Sequence, residues 1–385
     1  MRRSALTVVC LTVFVDLIGF TLVFPGLPFA AKHLGASGLG VGLAMSAYSM
    51  AQFVSAPVLG RIADRFGRRR VLLASLAGSV VSLAALAAAP TLGWLVVARL
   101  VAGAAGGSIG VGQALVADLT PPERHARAFG LIGASIGSAF VVGPAVGAAL
   151  ARFGFAGSAA VGAGLAAVNL IAALRWLPDP RPRADVAAEA RPSGQLPVLA
   201  ATLLSMLAFA GMEGTFALLA HHRFGSGPAL VGVVLTVAGV VLVVAQAGVV
   251  ARIVDRLGPR SGALAGLLAL AVGLALLPVA PLLGCIGAVC LLAFGDGLFS
   301  VASTTLLTRN TPGHTRGRVL GRVQSANALA RALGPAAAGA LFDHGAGLPY
   351  VLGAVAVLLG MAALAAPHAA TVGAPAKEIH RAATG

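Results

Sequence analysis

Five ionisable side chains stand inside long apolar stretches of this chain: Asp16, Arg99, Glu213, Asp296 and Arg331. A charge at the centre of a membrane-spanning helix costs roughly 2.5–3.5 kcal/mol on an insertion scale, so each asks for a reason. The three carboxylates, withdrawn from water, are suited to taking up and releasing protons and to meeting a cation. Arg99 and Arg331 either pair with these acids, as Asp16 with Arg99 for assembly alone, or couple protonation to conformation. Arg331 either joins Asp296 or merely orients its own span. No catalytic constellation competes with this reading, so an enzyme is not expected. Gly133-Ala-Ser135-Ile-Gly137 fits a hydrolase elbow but lies in an apolar helix without the strand that the motif needs. A GxxxxGK[ST] phosphate loop is absent. The eight histidines fall in loops or tails, and Cys10, Cys285 and Cys290 lie in or near apolar spans, so neither metal, disulfide framework nor cofactor is called for.

The elements that must hold these groups are helices in a bilayer. Apolar residues make up 58% of the 385 and charged ones 10%, against about 25% charge in a soluble domain. The runs are continuous and long enough for roughly 30 Å of hydrocarbon. Twelve spans are expected: 5–28, 38–59, 71–89, 92–116, 126–151, 155–176, 197–220, 229–250, 261–279, 282–307, 318–342 and 347–366. The first run passes 20 residues, contains Asp16 and ends at Pro28 without a small-residue cleavage site, which reads as an uncleaved span.

The chain is also written twice. Gly60-Arg-Ile-Ala-Asp-Arg-Phe-Gly-Arg-Arg-Arg70 returns 191 positions later as Ala251-Arg-Ile-Val-Asp-Arg-Leu-Gly-Pro-Arg-Ser261. At the same offset Thr120–Gly130 meets Thr311–Gly321, and Gly143-Pro144-Ala145 meets Gly334-Pro335-Ala336. Six spans per repeat put both repeats in one orientation, as parallel bundles with a cavity between them. The expected division is 1–176 and 197–366 for the bundles, 177–196 for a proline-rich cytoplasmic linker, and 367–385 for a cytoplasmic tail. The formal charge of +15 is topology rather than a nucleic-acid footprint. Of 27 Lys and Arg, 22 collect on one side; Lys32, Arg152 and Arg223 lie on the other, and Arg99 and Arg331 within spans. That asymmetry puts both termini in the cytoplasm.

In the basic turn, Gly60 and Gly67 suit a tight reversal, and Arg68–Arg70 suit an inner headgroup layer. Asp64 is an acid in that basic turn and pairs naturally with Arg65 or Arg68. Asp255 and Arg256 repeat it. Gly137, Gly143, Pro144 and Gly147 combine small-residue packing with a backbone break on the fifth span, and Gly334-Pro335 repeats the break on the eleventh.

These residues carry a resemblance over the whole chain. Gly60-Arg-Ile-Ala-Asp-Arg-Phe-Gly-Arg-Arg resembles the loop signature of the major facilitator superfamily, and within it the proton-driven drug exporters, including tetracycline exporters. Asp16-Leu-Ile-Gly-Phe-Thr-Leu-Val-Phe-Pro-Gly-Leu-Pro28 is similar to their first-helix motif, and Arg99-Leu-Val-Ala-Gly103 to their fourth. Gly137 through Gly143-Pro144-Ala-Val-Gly147 is similar to the fifth-helix motif of exporters.

The resemblance implies an all-α fold of twelve transmembrane helices in two parallel six-helix repeats. It implies that Asp64, Arg68 and Asp118 form a charge cluster locking an outward-open state, with Arg65, Asp255 and Arg256 beside the same face. Spans one, four, seven and ten would line the cavity, which makes Asp16, Arg99, Glu213 and Asp296 the expected proton and substrate groups. Tetracycline-specific members carry a third-helix acid where this chain has Ser82, and Glu213 does not match their seventh helix. Proton-coupled multidrug export by a monomer in a bacterial inner membrane therefore leads, with a small lipophilic or cationic substrate, protons and the bilayer as partners. A sugar or metabolite transporter is one alternative. A non-transporting membrane receptor is the other; neither linker nor tail has room for a signalling domain.

Overall fold

A computed structural model describes residues 2–121, 125–178, 195–245, 249–309 and 316–366. Fifteen α-helices follow in order: α1 (Arg2–Thr21), α2 (Leu27–His33), α3 (Gly38–Phe66), α4 (Arg68–Ala87), α5 (Leu92–Ala104), α6 (Ser108–Leu119), α7 (His125–Leu150) and α8 (Gly154–Trp176). The second half holds α9 (Leu196–Phe224), α10 (Pro228–Val244), α11 (Val250–Leu257), α12 (Pro259–Leu276), α13 (Leu282–Arg309), α14 (Arg316–His344) and α15 (Leu348–Ala365). The described residues contain no strand. Counting α1 with α2, α5 with α6, and α10 with α11, the helices group into twelve rods, consistent with twelve spans.

Among the described residues, eight helical stretches are long and apolar enough to cross a membrane. Ala5–Thr21 and Pro228–Val244 are apolar but shorter, and the stretch Gly130–Trp176 contains both α7 and α8. α14 falls below that hydropathy because it carries Arg322, Arg331 and Asp343. It packs against α3 and α9, and of its charges Arg331 faces the space between the halves while Arg322 and Asp343 are exposed.

Apolar burial separates the halves. One core runs from Val9 to Leu177 and another from Val198 to Leu364; a small cluster of Ala31, Ala36, Val41 and Leu218 bridges them. The 191-residue repeat reappears in the backbone. Gly67 and Gly258 both have positive φ, 97° and 82°, and each ends one helix and starts the next. Only glycine enters that region without a Cβ penalty. Gly60 takes no part in the turn: α3 continues helically past it to Phe66, and open space surrounds it. Arg69 donates to the carbonyls of Leu177 and Leu174 at 2.9 and 2.8 Å, closing the end of α8. Its counterpart Arg260 donates to Leu364, Ala365 and Ala366 at 3.2, 3.0 and 3.1 Å, closing α15. Both arginines satisfy carbonyls that a helix end leaves without partners.

Two of the expected spans are broken. The run 5–28 is interrupted at 22–26, and 92–116 at 105–107, where Gly106 and Gly107 cannot hold the helix against backbone entropy. Gln52 donates to the freed Gly106 carbonyl at 2.8 Å. Most of the 177–196 linker, the 367–385 tail and the first residues of the Thr311–Gly321 repeat lie outside the described residues.

α3 against α14 and α7 against α10 join the halves. The proline-glycine motifs serve these seams symmetrically. Gly143 and Gly147 lie against Thr21 and Leu22 of their own half, while Pro144 meets Gly232 of the other. Gly334 lies against Leu207 and Gly211 of its own half, while Pro335 meets Gly42 of the first. Nearer the face remote from the termini, Gly38 and Leu39 donate to Asp343 at 2.5 and 2.8 Å. Ser37 caps the same helix start by accepting from Gly40 at 3.1 Å.

Candidate functional site

Between the halves lies a cavity of about 340 Å³, within the 300–1,000 Å³ range typical of small-molecule sites. Its walls are rings and thioethers from both halves: Phe24, Met45 and Phe140 from the first, Phe209, Met212 and Phe216 from the second. Rings bring broad apolar area with a negative face, and thioethers adapt to irregular shapes. Gly137 and Pro144 expose α7 backbone to the same space.

Three ionisable groups enter the cavity, all from the second half. Glu213 comes from α9, Asp296 from α13 and Arg331 from α14. Arg331 Nη1 lies 3.3 Å from Glu213 Oε2, so of the two partners open to Arg331 it takes Glu213 rather than Asp296. Asp296 enters no ion pair among the described residues. Two carboxylates against one guanidinium leave this wall with one unbalanced negative charge when both acids are ionised.

Asp16 and Arg99 occupy a smaller pocket inside the first half, with Tyr48, Ser79 and Ser82. They are 7% and 1% exposed, and no ion pair within 4 Å joins them. Instead the guanidinium of Arg99 lies 5.0 Å from the Tyr48 ring, 5.2 Å from Phe20 and 5.8 Å from Phe24. A desolvated cation over aromatic faces gains about 2 kcal/mol or more, which offsets part of its burial. Gln52 steadies Tyr48 with a hydrogen bond of 3.2 Å to the phenol oxygen.

The five span residues therefore form two groups, Asp16 with Arg99 in one and Glu213, Asp296 and Arg331 in the other. The aromatic wall and cage escaped sequence reasoning because a ring in an apolar run has no contrast with its neighbours. One signal was present: Asp16 and Phe20 stand four residues apart, on one face of α1.

At the face carrying the termini, Arg68 lies 2.9 Å from Asp118 and 3.7 Å from Asp64, with Arg65 over the Phe66 ring at 5.3 Å. These pairs form within the first half, in a structure whose halves are joined at the remote face. Asp255 and Arg256 are exposed and enter no ion pair among the described residues. The repeat supplies the reason: Pro259 stands where Arg68 would recur, and Arg309 where Asp118 would.

A family model described as Major Facilitator Superfamily matches residues 9–200 and again 198–384. The chain is 30% identical over 382 residues to the class C tetracycline resistance protein of Escherichia coli, covering 94% of this chain and 96% of that one. It is 25% identical to multidrug resistance protein 2 of Bacillus subtilis, with 94% of each covered. Among solved structures it is similar to the human organic anion transporter MFSD10, with a TM-score of 0.70 and 25% identity over 94% of this chain and 99% of that one.

Proposed function

The chain belongs to the major facilitator superfamily, and from that membership we propose that it exports small lipophilic cations in exchange for protons. The observation that carries this reading is the cavity between the halves, where rings and thioethers surround two carboxylates and one guanidinium. Apolar walls favour a lipophilic body, and the unbalanced carboxylate, Asp296, favours a positive charge on it. The drug-resistance names of the relatives support export.

The excess of Lys and Arg beside the termini supports a cytoplasmic location for that face. The contacts between the halves then close the outer side, and the cavity is approached from the cytoplasm. A substrate enters there and meets Asp296, while Glu213 stays with Arg331. Asp16 carries the exchanged proton, and Arg99 links its protonation to the arrangement of the halves. Proton and substrate each favour a different arrangement, and that differential affinity is what turns a proton gradient into transport.

An organic anion is the second reading. Arg331 in the cavity favours it, as does the similarity to MFSD10. Everted vesicles separate the two, with an imposed proton gradient and either ethidium or a fluorescent organic anion as probe. Gradient-driven ethidium uptake is expected. Asp296→Asn should raise its half-saturating concentration roughly ten- to hundredfold, as loss of about 1.5–3 kcal/mol of charged contact does. Asp16→Asn should abolish gradient dependence while leaving ethidium binding in place. Uptake of the anion alone would overturn the cation reading, and transport indifferent to the gradient would overturn the exchange.

A further inference from the structure

The two groups of ionisable residues share one wall. Of the three rings around Arg99, Phe20 and Tyr48 line the small pocket, whereas Phe24 lines the large cavity. Phe24 also meets Phe20 edge to face, with ring centres 4.9 Å apart, so the cage is one packed unit. Inside it two polar atoms have no hydrogen-bond partner among the described residues, Nε of Arg99 and Oδ1 of Asp16. Ser79 and Ser108 hydrogen-bond the Asp16 carboxyl, Tyr48 and Ser82 line the same pocket, and Arg99 is the other charged side chain lining it. Phe24 stands where α1 has ended, in the turn before α2, so its ring is not fixed by a helical backbone.

We propose that Phe24 is the positioning residue that couples the proton pocket to the substrate cavity. The proposal rests on the exchange reading above and deepens it. The negative face of one ring attracts one cation well; a second cation brought to the same ring is repelled by the first. A cationic substrate approaching Phe24 from the cavity therefore loosens Arg99 from the cage. Arg99 then turns to the free oxygen of Asp16, the carboxyl O–H breaks, and its proton passes to water. Carboxylate and guanidinium are left as an ion pair. In reverse, a proton taken up by Asp16 releases Arg99 to the ring, and the substrate loses its place at Phe24. One ring thus makes the two occupancies exclusive without a shared carboxylate.

The test uses the purified full-length protein in detergent at low buffer capacity, reading ethidium binding by fluorescence and released protons by a pH dye. Wild type should release protons as ethidium binds. Phe24→Leu, which keeps bulk and removes a cavity-wall ring, should bind ethidium more weakly, and at saturating ethidium should release about fivefold fewer protons per ethidium bound, the loss expected for one weak coupling contact. Phe24→Trp should retain the wild-type yield, and thermal melts should show all three folded. An unchanged yield in Phe24→Leu would overturn the proposal. So would equal losses of proton yield in Phe24→Leu and Phe24→Trp at saturating ethidium, because the ring would then be cavity wall alone. Wild type binding ethidium without proton release would overturn the exchange reading itself, and the role of Phe24 with it.

Discussion

Glu213 and Arg331 meet at 3.3 Å with side chains 28% and 37% exposed. Water screens a pair so placed, so its coupling is about 1 kcal/mol rather than the several of a dry pair. Removing Arg331 alone leaves Glu213 and Asp296 unopposed in one cavity. Arg331→Met is therefore expected to melt several degrees lower in detergent, and Glu213→Gln combined with Arg331→Met to recover part of that loss. A double-mutant cycle on melting checks it, and strictly additive losses would make the contact incidental. All five ionisable span residues could be found from sequence, because a charge among apolar neighbours stands out. Which charges would pair could not: Arg331 is 118 positions from Glu213, and only the packing of α9, α13 and α14 selects one acid over the other.

Helix by helix, the glycines divide by what a methyl group would meet. At Gly147 it would strike the Leu22 carbonyl of α1's extension; at Gly60 it would meet open space within α3. Gly147→Ala should cost about 1–3 kcal/mol through overpacking, whereas Gly60→Ala should be neutral or stabilise by about 0.5–1 kcal/mol through lost chain entropy. Chemical or thermal unfolding of the two variants side by side checks the contrast, and equal effects would contradict it. The repeat offset anticipated much at this scale, since Gly67 and Gly258 turn alike and Gly143 and Gly334 pack alike. The breaks at 22–26 and 105–107 were not anticipated. Hydropathy continues unbroken across both, and only Pro25-Gly26 and Gly106-Gly107 hint that the helix stops.

For the molecule as a whole, Asp343 ties the second half to the start of α3 in the first. Burial acts upward on its carboxyl, but the N–H groups of Leu39 and Gly38, the Ser37 hydroxyl and the Lys32 charge outweigh it and hold it below the usual carboxylate range. A lowered acid contributes its contact above the usual carboxylate pKa and loses it as pH falls through the lowered value. Closure of the remote face should thus be constant between about pH 6 and 8 and fail only below about pH 4. Asp343→Asn should weaken it between about pH 6 and 8 by about 0.5–1 kcal/mol, a few-fold in the ratio of closed to open, since the site is exposed and screened, and the two proteins should converge at acid pH. Distances between spin labels at His33, which is exposed, and Ala346 report that ratio. A closed fraction equal to wild type would show that Asp343 is not a latch.

The arginines that close α8 and α15 have a bearing on how such a gene can be rearranged. Arg69 finishes the first repeat with carbonyls at 174 and 177, and Arg260 finishes the second with carbonyls at 364–366. Neither closure borrows an atom from the other repeat. The stretch between 178 and 195 can then be lengthened, cleaved or recoded as a start and stop codon while both knots stay tied. An ancestral pairing of two separate polypeptides and the present single chain would differ in their genetics far more than in their architecture.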